Sequence, residues 1–237
     1  MDVLGKALLD FHAGRNTEDI MTTSSLSEED RLKPSYLFRS FNEMPLMEQK
    51  ALQLCKGNVL DIGCGAGSHS LYLQEKGMKV MALDNSVGAI EVCAKRGVRK
   101  TICTDILTYS EQKFGTLLLL MNGIGLAGKI RLLPQFLKHL KSLLQPKGQI
   151  LLDSSDIIYM FDKDEDGGYW IPGDIDYYGE VTFQIHYNGE SGPIFYWLYL
   201  DFKTLAEFAR KENLNCELIV EGPHYDYLAR LTRYNQQ

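Results

Sequence analysis

The sequence predicts an α/β protein built on a doubly wound, seven-stranded sheet, mostly parallel with an antiparallel last strand. Three observations carry the prediction. From Asn58 onward, short apolar runs (NVLDIG, KVMALD, KTICTD, TLLLLMN and QILLDSS) alternate with helix-like segments. Such strand–helix alternation implies a parallel sheet covered on both faces. After Asp156 the alternation breaks, and the chain ends on CELIVEG and YDYLARLTRY, two further strands closing the sheet.

Each element can be justified in order. Residues 1–56 read as a helical and irregular cap. DVLGKALLDFH has rough helical periodicity, NTEDIMTTSSLSEED is polar, and MEQKALQLCKG is a helix ending at Gly57. Between the apolar runs lie SLYLQEKG, VGAIEVCAKRG and PQFLKHLKSLLQPKG, each closed by a glycine suited to a helix C-cap. Pro134 suits a first helical turn. EVTFQIHYNGESGPIFYWLYLD alternates as a β-hairpin with its turn near Asn188 and Gly189, and DFKTLAEFARKEN is a helix. The expected organisation is a cap or lid over 1–56 and a main domain over 57–237, with a hairpin insertion at about 157–201.

The chain has 237 residues and a net charge of -6, which argues against a broad nucleic-acid or anionic-membrane footprint. No apolar run approaches the roughly 18 residues that span a bilayer. The N-terminus lacks a signal-peptide pattern. The five cysteines are widely spaced without C-x-x-C, as in a protein of the reducing cytoplasm. None of the five histidines belongs to a metal-spaced set, so no metal is expected. DKDEDG matches the first half of a calcium loop, but position twelve would be Gly173, and a solvated acidic loop is the better reading.

The segment DIGCGAGSHS, Asp61 to Ser70, holds the chemistry. Gly63, Gly65 and Gly67 follow the first apolar run, where the backbone of a doubly wound sheet approaches its ligand. A dinucleotide fingerprint would need glycine at Ser68 and an apolar residue at Asp61. An acid two residues before the first glycine suits a ligand bearing an ammonium or sulfonium better than a pyrophosphate.

VLDIGCGAGSHS resembles motif I of the Rossmann-like class I S-adenosylmethionine-dependent methyltransferases. The resemblance continues in order through VMALD, CTDI, TLLLLMNG and LKSLLQPKGQILLD, covering about residues 57–156. It implies that Gly63, Cys64 and Gly65 line the methionine part of S-adenosylmethionine and that Asp61 orients its amino group. Asp84 would accept from both ribose hydroxyls, with Asn85 and Ser86 beside the adenine, which Asp105 and Ile106 would frame. Met121 and Asn122 would lie near the sulfonium. The implied activity is methyl transfer to a small-molecule acceptor whose nucleophile (O, N or C) stays open. A cofactor-binding protein without transferase activity is the alternative. Asn122 is followed by Gly123, not by the Pro-Pro-Tyr typical of families that methylate amides or adenine.

Three further features bear on the site. PSYLFRSFNEMP, Pro34 to Pro45, is expected to fold over the cofactor, with Arg39 meeting its carboxylate. His224, in the turn GPHYDY at the ligand end of the sheet, is the candidate base, whereas His139 reads as a surface residue. Of the 25 aromatic residues, 13 lie between Tyr159 and Phe202, and those in GGYWIPGDIDYYG suit either a substrate lid or a homodimer contact.

Overall fold

A computed structural model describes residues 1–234 apart from Asn16, Thr17, Glu28, Glu165, Pro172 and Asp174. The expected acidic loop at Glu165 and the expected aromatic lid at Pro172 and Asp174 therefore lie partly outside the described residues. In chain order the N-terminal segment forms α1 (Val3–His12), β1 (Ile20–Ser24), β2 (Asp30–Leu32), α2 (Pro34–Leu37) and α3 (Leu46–Leu54). Then follow β3 (Val59–Ile62), α4 (Ser68–Glu75), β4 (Val80–Asp84), α5 (Val87–Lys95), β5 (Thr101–Cys103), β6 (Phe114–Leu119), α6 (Leu133–Ser142) and β7 (Leu144–Ser155). The insertion contributes β8 (Glu180–Tyr187), β9 (Glu190–Ser191) and β10 (Phe195–Leu198). The chain closes with α7 (Phe202–Lys211), β11 (Leu214–Glu221) and β12 (Asp226–Arg233).

The seven-stranded sheet has the order β11-β12-β7-β6-β3-β4-β5. Pairing is parallel from β7 through β5, and β12 runs antiparallel to both β7 and β11. The sheet expected from the sequence is thus present. Alternation along β7 shows how the core forms on both faces. Ile150 and Leu152 pack with Phe136, Leu140 and Leu205 of α6 and α7. Leu151 packs on the other face with Met47, Ala51 and Leu52 of α3. Strand order reverses between β3 and β6, which opens a crevice at their carboxyl ends.

Helix ends follow the sequence twice and depart from it once. α4 and α5 stop ahead of Gly77 and Gly97, with φ of +81° and +96°, as left-handed caps require. Gly148, expected to cap α6, lies within β7 instead, because the chain leaves the helix at Leu143 and enters the strand directly. A Cβ there would stand 3.0 Å from the carbonyl oxygens of Gln145 and Phe114, so this glycine permits close strand approach.

The N-terminal segment is not wholly helical as expected. Its polar stretch supplies β1 and β2, and β1 pairs antiparallel with β8 from Met21↔His186 to Ser24↔Phe183. The physical reason is the insertion itself: β8 would otherwise present an open hydrogen-bonding edge. The second sheet has the order β10-β8-β1-β2, with β9 beside β8 across the turn at Asn188 (φ +51°) and Gly189 (φ +75°).

The cap is fastened to the main sheet through Asp2. Its carboxylate caps α1 at Gly5 N (2.9 Å) and also accepts from Ser86 Oγ and Gly88 N at the start of α5. α1 crosses α5 closely enough that a Cβ on Gly88 would stand 2.6 Å from the Gly5 backbone. Gly88→Ala should therefore lower stability by about 1–3 kcal/mol through overpacking. Urea unfolding checks it, and an unchanged midpoint would show that this crossing does not hold the cap.

Candidate active site

The turn between β3 and α4 is shaped by its glycines. Gly63, Gly65 and Gly67 have φ of +73°, +52° and +82°, a region that costs other residues about 1–2 kcal/mol. A Cβ on Gly67 would meet Cys93 Sγ at 2.8 Å, whereas one on Gly65 would meet nothing within 4 Å. Gly67 is thus needed for packing, and Gly65 borders open space.

Around that space stand the residues named from the sequence. Asp84, at the end of β4, accepts from Gly65 N through Oδ2 and from Ser86 N through Oδ1, both at 2.9 Å. Two of its roughly four lone-pair directions stay free for a ligand. Burial pushes its carboxyl above the usual range. Ser86 is buried and caps α5 at Ala89 N, while Asn85 is exposed. Asp61 is only 2% exposed; its Oδ2 accepts from Ser70 Oγ at 2.6 Å, and burial raises its carboxyl. Cys64 is buried with its Sγ 3.7 Å from that of Cys93.

At the end of β5, Asp105 is exposed and caps the next turn by accepting from Leu107 N at 2.8 Å. Ile106 is buried, and its carbonyl lies 2.7 Å from His139 Nε2. A carbonyl can only accept, so Nε2 is the donor. His139 is therefore half-buried and ties α6 to this turn, a correction to the surface role expected for it.

The loop after β6 is held from β7. Met121 and Asn122 both adopt left-handed backbone, with φ of +65° and +58°. The N–H groups of Met121 and Gly123 donate to the two oxygens of Asp153, each at 3.0 Å. Burial pushes the Asp153 carboxyl up to about 6. The Asn122 amide is engaged at both ends: Oδ1 accepts from Ser154 Oγ (2.9 Å) and Nδ2 donates to Leu198 O (3.3 Å). Of the two residues expected near the sulfonium, Met121 is the one that shows its side chain, at 36% exposure.

The stretch Pro34–Pro45 packs on the glycine turn. Ser68 Oγ donates to Leu37 O at 2.9 Å, and Arg96 donates to both Ala66 O and Phe38 O. Phe41 stacks on Tyr72 with centroids 4.0 Å apart. Arg39, 7% exposed, donates to both oxygens of Glu48 and to Tyr36 O. Its Nε is buried and has no hydrogen-bond partner among the described residues. Glu48 also meets His69 Nε2 at 2.7 Å. Burial raises the Glu48 carboxyl, but His69 and Arg39 outweigh that and hold it below its usual range.

The carboxyl ends of β3, β4, β5 and β6 thus bring together Asp61, Gly63, Cys64, Gly65, Asp84, Ser86, Asp105, Ile106 and Met121. His224 lies in the exposed turn between β11 and β12. Its backbone N–H donates to Asp226 Oδ1, and its imidazole has no hydrogen-bond partner among the described residues. Sequence reasoning missed Glu48, His69, Arg96 and Asp153. Only Asp153 carried a signal, as an acid closing an apolar run in the manner of Asp84.

Comparison with known proteins bears on what fills the crevice. A family model described as a methyltransferase domain matches residues 59–148. Comparison with curated proteins finds no match. A SAM-dependent methyltransferase from Bacteroides fragilis, solved in complex with S-adenosyl-L-homocysteine, is 42% identical. The match covers 98% of this chain and 94% of that one, with a TM-score of 0.91. An amino pentose methyltransferase from Micromonospora echinaspora (13% identity, 81% and 93% coverage, TM-score 0.56) shares the fold. So does a sugar N-methyltransferase from Streptoalloteichus (12%, 79% and 85%, 0.54). With that identity over nearly the full length of both chains, and the glycine turn and strand-end acids in place, the chain belongs to the S-adenosylmethionine-dependent methyltransferases.

Proposed function

We propose that the enzyme methylates a small molecule, held between the cofactor crevice and the segments that cover it. The observation carrying this reading is the open space beside Gly65, bordered by Asp84, with the N-terminal stretch packed on the same glycine turn through Leu37 and Phe38. A crevice flanked by such a segment suits a small acceptor better than a polymer. Two of the fold-sharing proteins above are named for sugar substrates, which favours the same class.

The residues present fit S-adenosylmethionine. Asp84 takes the ribose hydroxyls, Asp61 the amino group, and Ile106 with Asp105, Asn85 and Ser86 the adenine. Gly63, Cys64 and Gly65 border the methionine chain. Arg39, whose Nε has no hydrogen-bond partner among the described residues, takes the carboxylate, held in place by Glu48. Residues 1–56 act as the lid of the domain 57–237. When bound, the cofactor supplies an electrophilic methyl group on a sulfonium, so the protein's main tasks are alignment and exclusion of water. Asp153 performs the alignment by fixing the Met121–Gly123 backbone. His224, at the rim, takes the acceptor's proton and passes it to water. Among the described residues no helix is long and apolar enough to cross a membrane, and the cysteine pattern goes with a cytoplasmic setting. A homodimer contact through the aromatic insertion is part of the same reading.

S-adenosylhomocysteine should bind and raise the melting temperature. Asp84→Ala should weaken that binding by about 2–3 kcal/mol, from lost charge-assisted hydrogen bonds. Calorimetry giving an unchanged dissociation constant for the variant would remove Asp84 from the site.

The raised Asp153 carboxyl sets a pH dependence. Its usual value is 3.8 and its folded value about 6, so the folded protein holds this proton more readily than the unfolded chain. The group's stabilising contribution is full below about pH 4 and lost as pH rises through about 6. Relative to Asp153→Asn, wild-type stability should fall by about 2–3 kcal/mol across that window. A difference that stays flat with pH in urea unfolding would contradict the burial of this carboxyl.

Once an acceptor is in hand, His224→Gln should lower turnover. A wild-type rate in that variant would reduce His224 to a turn residue.

A further inference from the structure

Past the loop that Asp153 holds, the carboxyl end of β7 runs into aromatic and acidic side chains without a role in cofactor binding. Asp156 follows β7 directly. Its N–H donates to Tyr225 O at 2.9 Å. Its Oδ1 accepts from the Tyr178 hydroxyl at 2.8 Å and from Ile158 N at 2.9 Å. Its Oδ2 has no hydrogen-bond partner among the described residues. Burial pushes the Tyr178 hydroxyl up, so it stays a donor.

The segments joined to Asp156 carry exposed aromatic side chains. Tyr159 and Tyr225 stack with centroids 5.1 Å apart, yet are 52% and 61% exposed. Tyr225 holds φ at +61°, a backbone region bulky residues avoid unless their surroundings impose it. Tyr178 meets Phe161 edge-on at 6.1 Å. A stacked tyrosine pair left open to solvent beside a half-free carboxylate adds little to a core. It matches what a cation needs, namely a charge partner and π faces.

The local charge balance points the same way. The Tyr178 hydroxyl also lies 3.5 Å from Asp201 Oδ2, which already accepts from Tyr177 at 2.6 Å. One phenol proton cannot serve both acids. Among the described residues every ion pair lies elsewhere, and none involves Asp153, Asp156 or Asp201. Three unneutralised carboxylates attract an ammonium. They repel a carboxylate or phosphate, and they disfavour an oxygen nucleophile that must gain negative charge as it loses its proton. Adjacent strands lie about 5 Å apart, so this end of β7 is about 10 Å from the glycine turn after β3, within the length of a small acceptor.

We propose that Asp156, beside Tyr159, Tyr178 and Tyr225, binds the methyl acceptor as an ammonium that passes one proton to His224 and then attacks the methyl group with the freed lone pair, so that the acceptor is a small aliphatic amine. This rests on the small-molecule reading above and assigns its chemical class.

The test uses the full chain saturated with S-adenosylhomocysteine and titrated with choline, a quaternary ammonium that cannot accept a methyl group. The control is choline's neutral isostere, with carbon in place of nitrogen. Choline should bind at least tenfold more tightly than the isostere. Asp156→Asn and, separately, Tyr159→Leu should weaken choline severalfold to tenfold while leaving the S-adenosylhomocysteine dissociation constant within about twofold. Should Asp156→Asn fail to fold, Tyr159→Leu carries the test alone. Equal binding of the two probes, no choline binding, or choline binding that survives both substitutions would overturn the amine assignment. Failure of S-adenosylhomocysteine itself to bind in the same experiment would instead strike the cofactor reading. In turnover assays, alcohols or phenols accepted where amines are refused would likewise overturn it, with the small-molecule reading intact.

Discussion

The structure depends on a turn that glycine forms at least cost. Between β3 and α4 the backbone passes through positive φ three times at alternate residues. That shape lets Gly65 turn its N–H onto Asp84. Asp84 in turn fixes Ser86, Ser86 receives Asp2, and Asp2 caps α1. From the other side, Arg96 joins Ala66 O of the same turn to Phe38 O of the lid. The lid therefore hangs on the ligand turn from two directions. A change in the turn would be felt by the cap through these hydrogen bonds and through the apolar cluster in which Ala66 packs with Leu8, Ala89 and Val92.

Buried charge is handled differently at the two ends of the crevice. Under the lid, Arg39, Glu48 and His69 form a continuous paired set, as burial demands, since an isolated ion there would cost several kcal/mol. Among the described residues the set leaves Arg39 Nε without a hydrogen-bond partner, like the buried Nε atoms of Arg230 and Arg233. Beyond β6 and β7 the acids meet backbone N–H groups and phenols instead of cations. Hydrogen bonds to neutral donors hold a carboxylate in position but leave its charge uncancelled.

Much of this was legible in the sequence. The five apolar runs, the left-handed caps at Gly77 and Gly97 and the ligand turn all follow from local chemistry: apolar patterning for buried strands, and missing Cβ atoms where φ must be positive. The N-terminal strands were not legible. Ile20–Ser24 is a short, polar stretch that becomes a strand only because β8 offers an edge more than 150 residues away. Gly148 misled because a glycine after a helix pattern usually caps it, and only the close approach of Gln145 and Phe114 reveals its other use. Glu48 and His69 could not be found, because a buried hydrogen-bonded pair between α3 and α4 leaves no periodic trace. Asp153 was visible as a residue but not as a role, since the loop it grips lies on a neighbouring strand.

The contrast between the two ends is one of cancelled against uncancelled charge. Under the lid Arg39 is cancelled by Glu48, whereas past β7 Asp153, Asp156 and Asp201 form no ion pair among the described residues. A cationic group lying across the crevice would therefore be drawn toward the β7 end. The same field raises the local concentration of a second cation on the far side of the sulfonium. Two positive groups brought together in water would repel one another. If the acceptor is an amine, the uncancelled acids would offset that repulsion. Pairing them with lysines would then cancel the charge that draws a second cation to this end of β7.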